Sequence, residues 1–223
     1  MEKFNNFFKL SILKTIIFNF NYFKIKDAIK FPVLISKNVR LIKLNGKIIL
    51  NAPIKLGLIK IGFGSVSIFD FKYSKCLFSI NGNGIIEFNG KVNIGHGSKI
   101  SVNGYGHIIF NHNFNITAES TIVCSKKIIF GNNCLISWDT LIMDTDIHSI
   151  YDFNNNKINP DKEIIIGDNV WIGCRNLILK GSIIPDNTII SANTKITKTL
   201  QNNNSIYFKQ NELIQKEFSH WQI

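Results

Sequence analysis

Six isoleucines, Ile166, Ile172, Ile178, Ile184, Ile190 and Ile196, recur at every sixth position without a gap. The text between them reads IGDNVW, IGCRNL, ILKGSI, IPDNTI and ISANTK. Shorter runs keep the same period: Phe130, Ile136 and Ile142; Phe110, Ile116 and Ile122; Phe88, Ile94 and Ile100. A helix would spread such a series around its circumference. A flat strand tolerates period six, but not the Gly, Asn, Asp and Pro that fall between the key positions, which are turn formers. A coil of short strands joined by tight turns satisfies both facts. Each key residue then points inward and stacks on its counterpart one coil away, about 4.8 Å along the axis. A lone repeat cannot bury its apolar side, so the array must be long and capped at its ends.

This pattern predicts an all-β chain, a parallel β-helix solenoid of hexapeptide repeats over residues 46–200. Residues 1–45 are read as an N-terminal helical capping segment. Within it Phe7, Leu10, Leu13, Ile16 and Phe20 follow three- and four-residue spacing, the mark of a helix with one apolar side, and Pro32 closes the segment. Packing against the solenoid is its expected fate, and contact with a membrane surface is the alternative. Residues 201–223 are read as the C-terminal cap. Residues 149–163, SIYDFNNNKINPDKE, are polar and break the period directly after His148. They predict a loop thrown out from a rigid coil, where function concentrates.

Composition narrows the partners. The net charge is +11, from 26 basic and 15 acidic side chains, which favours anionic ligands. No block of five or six lysines stands out, so the charge reads as a generally basic surface, without a nucleic-acid-binding module. The abundance of Ile, Asn, Phe and Lys reads as the mark of an A/T-rich coding sequence. Cys76, Cys124, Cys134 and Cys174 form no CxxC pair and match no zinc spacing. They are expected as reduced, mostly buried thiols of a cytoplasmic protein. Lys14 and Asn19 interrupt the N-terminal apolar run, which therefore resembles no signal peptide. No stretch reaches the ~20 apolar residues that span a bilayer.

The block IIIGDNVWIGCRNLILKGSIIPDNTIISANTKITK resembles the signature of the hexapeptide-repeat acetyltransferases. LISWDTLIMDTDIHSI resembles the segment that carries that family's catalytic histidine. The likeness is strong over residues 110–200. It is weaker over 14–110, where FNFNYFKIKDAIKFPVLI and LNGKIIL still look like the branch encoded in capsule and lipopolysaccharide gene clusters. The resemblance implies a left-handed β-helix and a homotrimer, with acetyl-CoA in the groove between adjacent subunits. It also implies O-acetylation of a sugar hydroxyl on a surface polysaccharide or its precursor, at the inner face of the membrane or in the cytoplasm.

Acyl transfer from a thioester needs a base for the hydroxyl proton and donors for the oxyanion. By the resemblance His148 is the base, and histidine suits that task. Asp144 or Asp146 would orient its ring; an extended segment would put all three on one side. Trp171 matches an aromatic that lies beside the family's histidine and donor, and Trp138 with Asp139 would face the acceptor. For the donor, Gly173 would permit close approach, and Cys174 matches a position that contacts CoA. Ala192 and Asn193, in a small-residue turn, would leave backbone amides open to the pantetheine arm. Thr197 and Lys198 match the family's Thr-Lys pair, and Lys209 or Lys216 is placed near the nucleotide phosphates. The chain departs from the pattern at Ser191–Thr194 and at Phe208–Glu212, where the family's Gly and Pro are replaced.

Three other readings compete. An amino-sugar N-acetyltransferase would use the same scaffold. A zinc carbonic anhydrase would need three of His96, His107, His112 and His148 as ligands, but their spacing does not match that family; no metal is expected. A non-catalytic basic scaffold would bind polyanion or membrane.

Overall fold

The computed structural model describes residues 9–64 and 66–208, and the backbone of 212–215. Among the described residues its strands form three sheets of nine, seven and six strands, each built from every third strand in the chain except at the C-terminal end of the first sheet. The chain therefore winds from the first sheet to the second, the third and back. The strands of the coil pair in parallel, whereas Ser205–Phe208 and Glu212–Gln215, at the end of the first sheet, pair antiparallel. That hairpin lies inside the region expected to be the C-terminal cap.

Every key residue of the repeat is in register with its counterpart. On the first sheet Ile94, Ile116, Ile136, Ile172 and Ile190 stack in turn. Ile100, Ile122, Ile142, Ile178 and Ile196 do so on the second, and Phe88, Phe110, Phe130, Ile166 and Ile184 on the third. All fifteen are at most 1% exposed. In the third column Phe88, Phe110 and Phe130 lie nearly parallel, with centroids 5.6 and 5.3 Å apart, and Phe114 sits 4.6 Å from the last two. Offset stacking of this kind adds to the burial of the rings. On the first sheet the step per coil falls from 22 residues (Ile94 to Ile116) to 20 (Ile116 to Ile136) and, beyond the inserted loop, to 18 (Ile172 to Ile190), three hexapeptides per turn.

Asparagine has a structural use here beyond any coding bias. Where the third sheet hands over to the first, Asn113, Asn133, Asn169 and Asn187 all adopt φ between 53° and 59°. Asparagine tolerates that left-handed conformation better than most residues. Their side chains form a ladder, each amide donating to the next carbonyl at 3.0–3.1 Å. Asn51, Asn89 and Asn111 make a second ladder.

The coil begins before residue 46: Val33–Ile35 already pairs with Ile59–Phe63. Helix α1 (Ile12–Tyr22) closes this end, followed by the short α2 (Ile25–Ala28). The buried side of α1 is not the expected one. Thr15, Phe18 and Asn19 face the coil, while Leu13, Ile16 and Phe20 are 68%, 40% and 45% exposed; Phe7 lies outside the described residues. The cause is the open backbone edge of Val33–Ile35. Asn19 accepts from Val33 N and donates to Val33 O, and Thr15 Oγ1 accepts from Ile35 N. An edge with unpaired amides needs polar partners, so two polar residues join Phe18 on the inner side. Among the described residues no helix is long and apolar enough to cross a membrane.

Candidate active site

The residues singled out in sequence gather at two corners of the triangular coil. The first corner, between the first and second sheets, stacks residues 137–140, 173–176 and 191–194. Its left-handed positions are Asp139, Arg175 and Asn193, with φ of 57°, 59° and 58°. Arg175 N donates to Trp138 O at 3.0 Å and Asn193 N to Cys174 O at 2.9 Å, tying the three turns together. Inside the corner Asn176 is fully buried; its amide donates to Gly173 O, which also accepts from Thr140 Oγ1.

These contacts revise the donor-side expectations. A Cβ on Gly173 would stand 2.8 Å from Ala192 N and 2.9 Å from Ile190 O. The glycine therefore admits the next coil of the chain itself. The Asn193 amide is consumed by Cys174 O rather than left open. Among the described residues the Cys174 and Ala192 amides carry no hydrogen bond, and Ala192 is exposed. Trp171 sits at the corner's edge, 36% exposed, with Nε1 donating to Ser137 Oγ at 3.2 Å. Trp138 is half-buried, and Asp139 is exposed, 3.8 Å from Arg175 Nε.

The second corner lies between the second and third sheets. Here the loop leaves after Leu141–Met143 and returns to Ile164–Ile166. Asp144, Asp146 and His148 do not share one side, because the segment turns instead of extending. Thr145 Oγ1 accepts from Ile147 N, and His148 N donates to Asp146 O at 2.7 Å, across Ile147 at φ 65°. A β-branched residue in that region is strained, and strain of this kind clusters at functional sites. Asp144 is fully buried and accepts from Ser125 N, Lys126 N and Cys124 Sγ, so it fastens the loop's root to the preceding coil. Asp146 accepts from Lys180 Nζ and from Asn159 Nδ2. The ammonium first, and then the amide, hold its carboxyl below the usual carboxylate range. Among the described residues neither carboxylate bonds the His148 ring, which is exposed.

Two residues that the sequence reading missed hold His148 in place. Asn159 Nδ2 also donates to His148 O at 2.8 Å, and its Oδ1 accepts from Ile150 N at 2.6 Å. Lys180, from the adjacent turn, donates to both Asp146 and Asn159 O. Their one sequence signal was position: Asn159 closes the interruption, and Lys180 occupies the turn that stacks on it. Thr197 and Lys198, both exposed, lie on the next turn at this corner, where Leu200 N donates to Ile183 O. Lys209 and Lys216 lie outside the described residues.

No family model matches the chain. A polysialic acid O-acetyltransferase of Neisseria meningitidis is 42% identical over 64 residues, 28% of this chain and 30% of that protein. The galactoside O-acetyltransferase of Escherichia coli K12 is 33% identical over 91 residues, 41% of this chain and 43% of that protein. The matches thus span less than half of these relatives. The crystal structure of the polySia-specific acetyltransferase NeuO superposes with a TM-score of 0.55 at 18% identity, covering 86% of this chain and 79% of that one. In repeat sequence this chain is thus similar to O-acetyltransferases over part of its length, and the superposition shows that it shares the hexapeptide-repeat fold of such an enzyme. Its coil is accordingly a left-handed β-helix.

Among the described residues the other histidines do not gather around His148; His220 lies outside them. His96 is buried at the first corner between Phe69 and Phe71, and His107 lies on the third sheet 3.2 Å from Glu87. His112 precedes the asparagine ladder at the third corner. Among the described residues no group of three or more His, Cys, Asp or Glu is placed to hold a metal ion. Cys76, Cys124 and Cys134 are buried free thiols, and Cys174 is half-buried.

Proposed function

We propose that the protein is an acetyl-CoA-dependent O-acetyltransferase acting on a sugar hydroxyl of a surface glycan or its precursor, with His148 as general base. The carrying observation is an exposed imidazole whose backbone is pinned by Asn159 and, through Asp146, by Lys180. A pinned backbone fixes the base, while an unbonded ring stays available to a hydroxyl. The glycan acceptor follows the relatives, named for acetylation of polysialic acid and of galactosides.

In this reading His148 takes the proton from the acceptor hydroxyl as its oxygen attacks the thioester carbonyl. It holds that proton while the carbon–sulfur bond breaks, then returns it to the departing sulfur. The open amides of Cys174 and Ala192 fit the donor arm, and exposed Arg175 and Lys198 suit its phosphates. One chain does not complete this site. The first-corner residues and His148 stand at different corners, with the second sheet between them. A homotrimer that sets the first corner of one copy against the second corner of its neighbour would unite them.

The test is release of CoA thiol from acetyl-CoA with a panel of sialylated, galactosylated and amino sugars. Wild-type protein should transfer to hydroxyl acceptors, and His148→Ala should lose at least about a hundredfold in rate. Transfer to amines alone would favour the N-acetyltransferase reading. Equal rates in both proteins would remove His148 from the chemistry.

A further inference from the structure

The side of α1 turned away from the coil is apolar and bare. Ile12, Leu13, Ile16, Ile17 and Phe20 are 66%, 68%, 40%, 48% and 45% exposed, and at 100° per residue they fall on one side of the helix. Ile25 (72%) and Ile29 (57%) extend the patch into and beyond α2, and Leu56 (71%) flanks it. Between them lies an open groove of about 170 Å³, lined by Thr15 and otherwise by apolar side chains, among them Leu10, Ile12, Ile16 and Leu56. Meanwhile Phe18, at 0% exposure, plugs the coil against Phe78, with ring centroids 5.5 Å apart. Folding of the chain thus leaves the apolar patch at the end of the molecule.

In sequence, the charge of the protein collects in the segment that forms this end. Residues 1–60 hold twelve basic and two acidic side chains, whereas residues 61–223 hold fourteen and thirteen. Nearly all of the net +11 therefore belongs to the N-terminal quarter, although no run of lysines reveals it. Lys9 and Lys14 are engaged in the cap, bonding to Gly64 O and to Lys37 O and Val39 O. Lys24, Lys26, Lys30 and Lys55, beside the apolar stripe in sequence, are exposed.

We propose that this end of the β-helix docks on an anionic lipid bilayer, with α1 lying in the headgroup region. An apolar helix side buries among the acyl chains while flanking lysines meet lipid phosphates. Charge complementarity decides between occupants. A second copy of the chain would bring the same excess of lysines to the contact, whereas an anionic membrane neutralises it. Four coil spacings separate Val39–Leu44, in the first coil, from Leu141–Met143, which carries the loop of His148. With the coil axis upright the site would stand about 20 Å from the docked end, within reach of a glycan growing at the membrane.

Vesicle co-sedimentation of the full chain tests this without any assay of transfer. We expect saturable binding to vesicles with about 30 mol% phosphatidylglycerol, and at least about tenfold weaker binding to pure phosphatidylcholine. The double variant Leu13→Asp, Ile17→Asp alters only exposed positions and should weaken binding about tenfold with an unchanged circular dichroism spectrum. Lys24→Glu with Lys26→Glu should do the same and lower the salt sensitivity. No binding to anionic vesicles, or binding unaffected by the Asp pair, would overturn the proposal. A change in the mass of the free protein on Leu13→Asp, with vesicle binding intact, would reassign the face to contact between copies and overturn it too.

Discussion

At the scale of single residues, the proposed chemistry depends on how His148 is held. Asn159→Ala would remove bonds to His148 O, Asp146 and Ile150 N together. It is expected to lower kcat about ten- to a hundredfold with little change in the KM for donor, as steady-state kinetics would show. Lys180→Met should act in the same direction. The Asp146 carboxyl, held below its usual range by Lys180, contributes to loop order above its unfolded value. That contribution is lost as pH falls through the lower folded value, so the tether should fail only below about pH 4. Cysteine reactivity supplies an independent check. Burial pushes the Cys76 thiol up to about 11 and the Cys134 thiol up to about 12, and raises Cys124 as well. The thiolate is the reactive form, so a thiol reagent should modify only Cys174 in native protein. Bound CoA should protect it.

At the scale of elements, stability comes from stacked columns rather than from any one coil. Phe110 touches Phe88, Phe114 and Phe130. Phe110→Ala should therefore cost about 3–5 kcal/mol in denaturant unfolding. Gly173→Ala should cost about 1–3 kcal/mol, because its Cβ would meet the Ala192 amide nitrogen at 2.8 Å. The period-six isoleucines were legible in sequence because each inward position must be apolar wherever the coil repeats. The inner side of α1 was not legible. Spacing alone cannot reveal that the edge at Val33–Ile35 demands a threonine and an asparagine. Nor could it show that Asp144 is consumed by the amides of Ser125 and Lys126, since those partners come from another coil. His148 stands as a candidate through its likeness to a family, whereas the bonds that Asn159 and Lys180 make to its loop became visible only when the loop closed on itself.

At the scale of the whole molecule, the proposed donor residues and His148 stand at different corners of one chain. If copies complete one another, inactive variants with complementary lesions should rescue each other. Mixing His148→Ala with Cys174→Trp and reassembling the subunits should restore about a quarter of wild-type transfer, because one interface in four pairs two intact corners. A site contained within a single chain would stay inactive in the mixture. The same geometry separates the chemistry from the charged end, so weakened vesicle binding should leave transfer to a small dissolved acceptor unchanged.

The most direct test is calorimetric titration of acetyl-CoA, and separately of free CoA, into wild-type protein and His148→Ala at low salt. The account predicts saturable binding of about one donor per chain, with similar affinity in both proteins, since His148 acts on the acceptor's proton. Folded wild-type protein that binds neither ligand would contradict the assignment of the first corner to a CoA donor, and with it the proposed reaction.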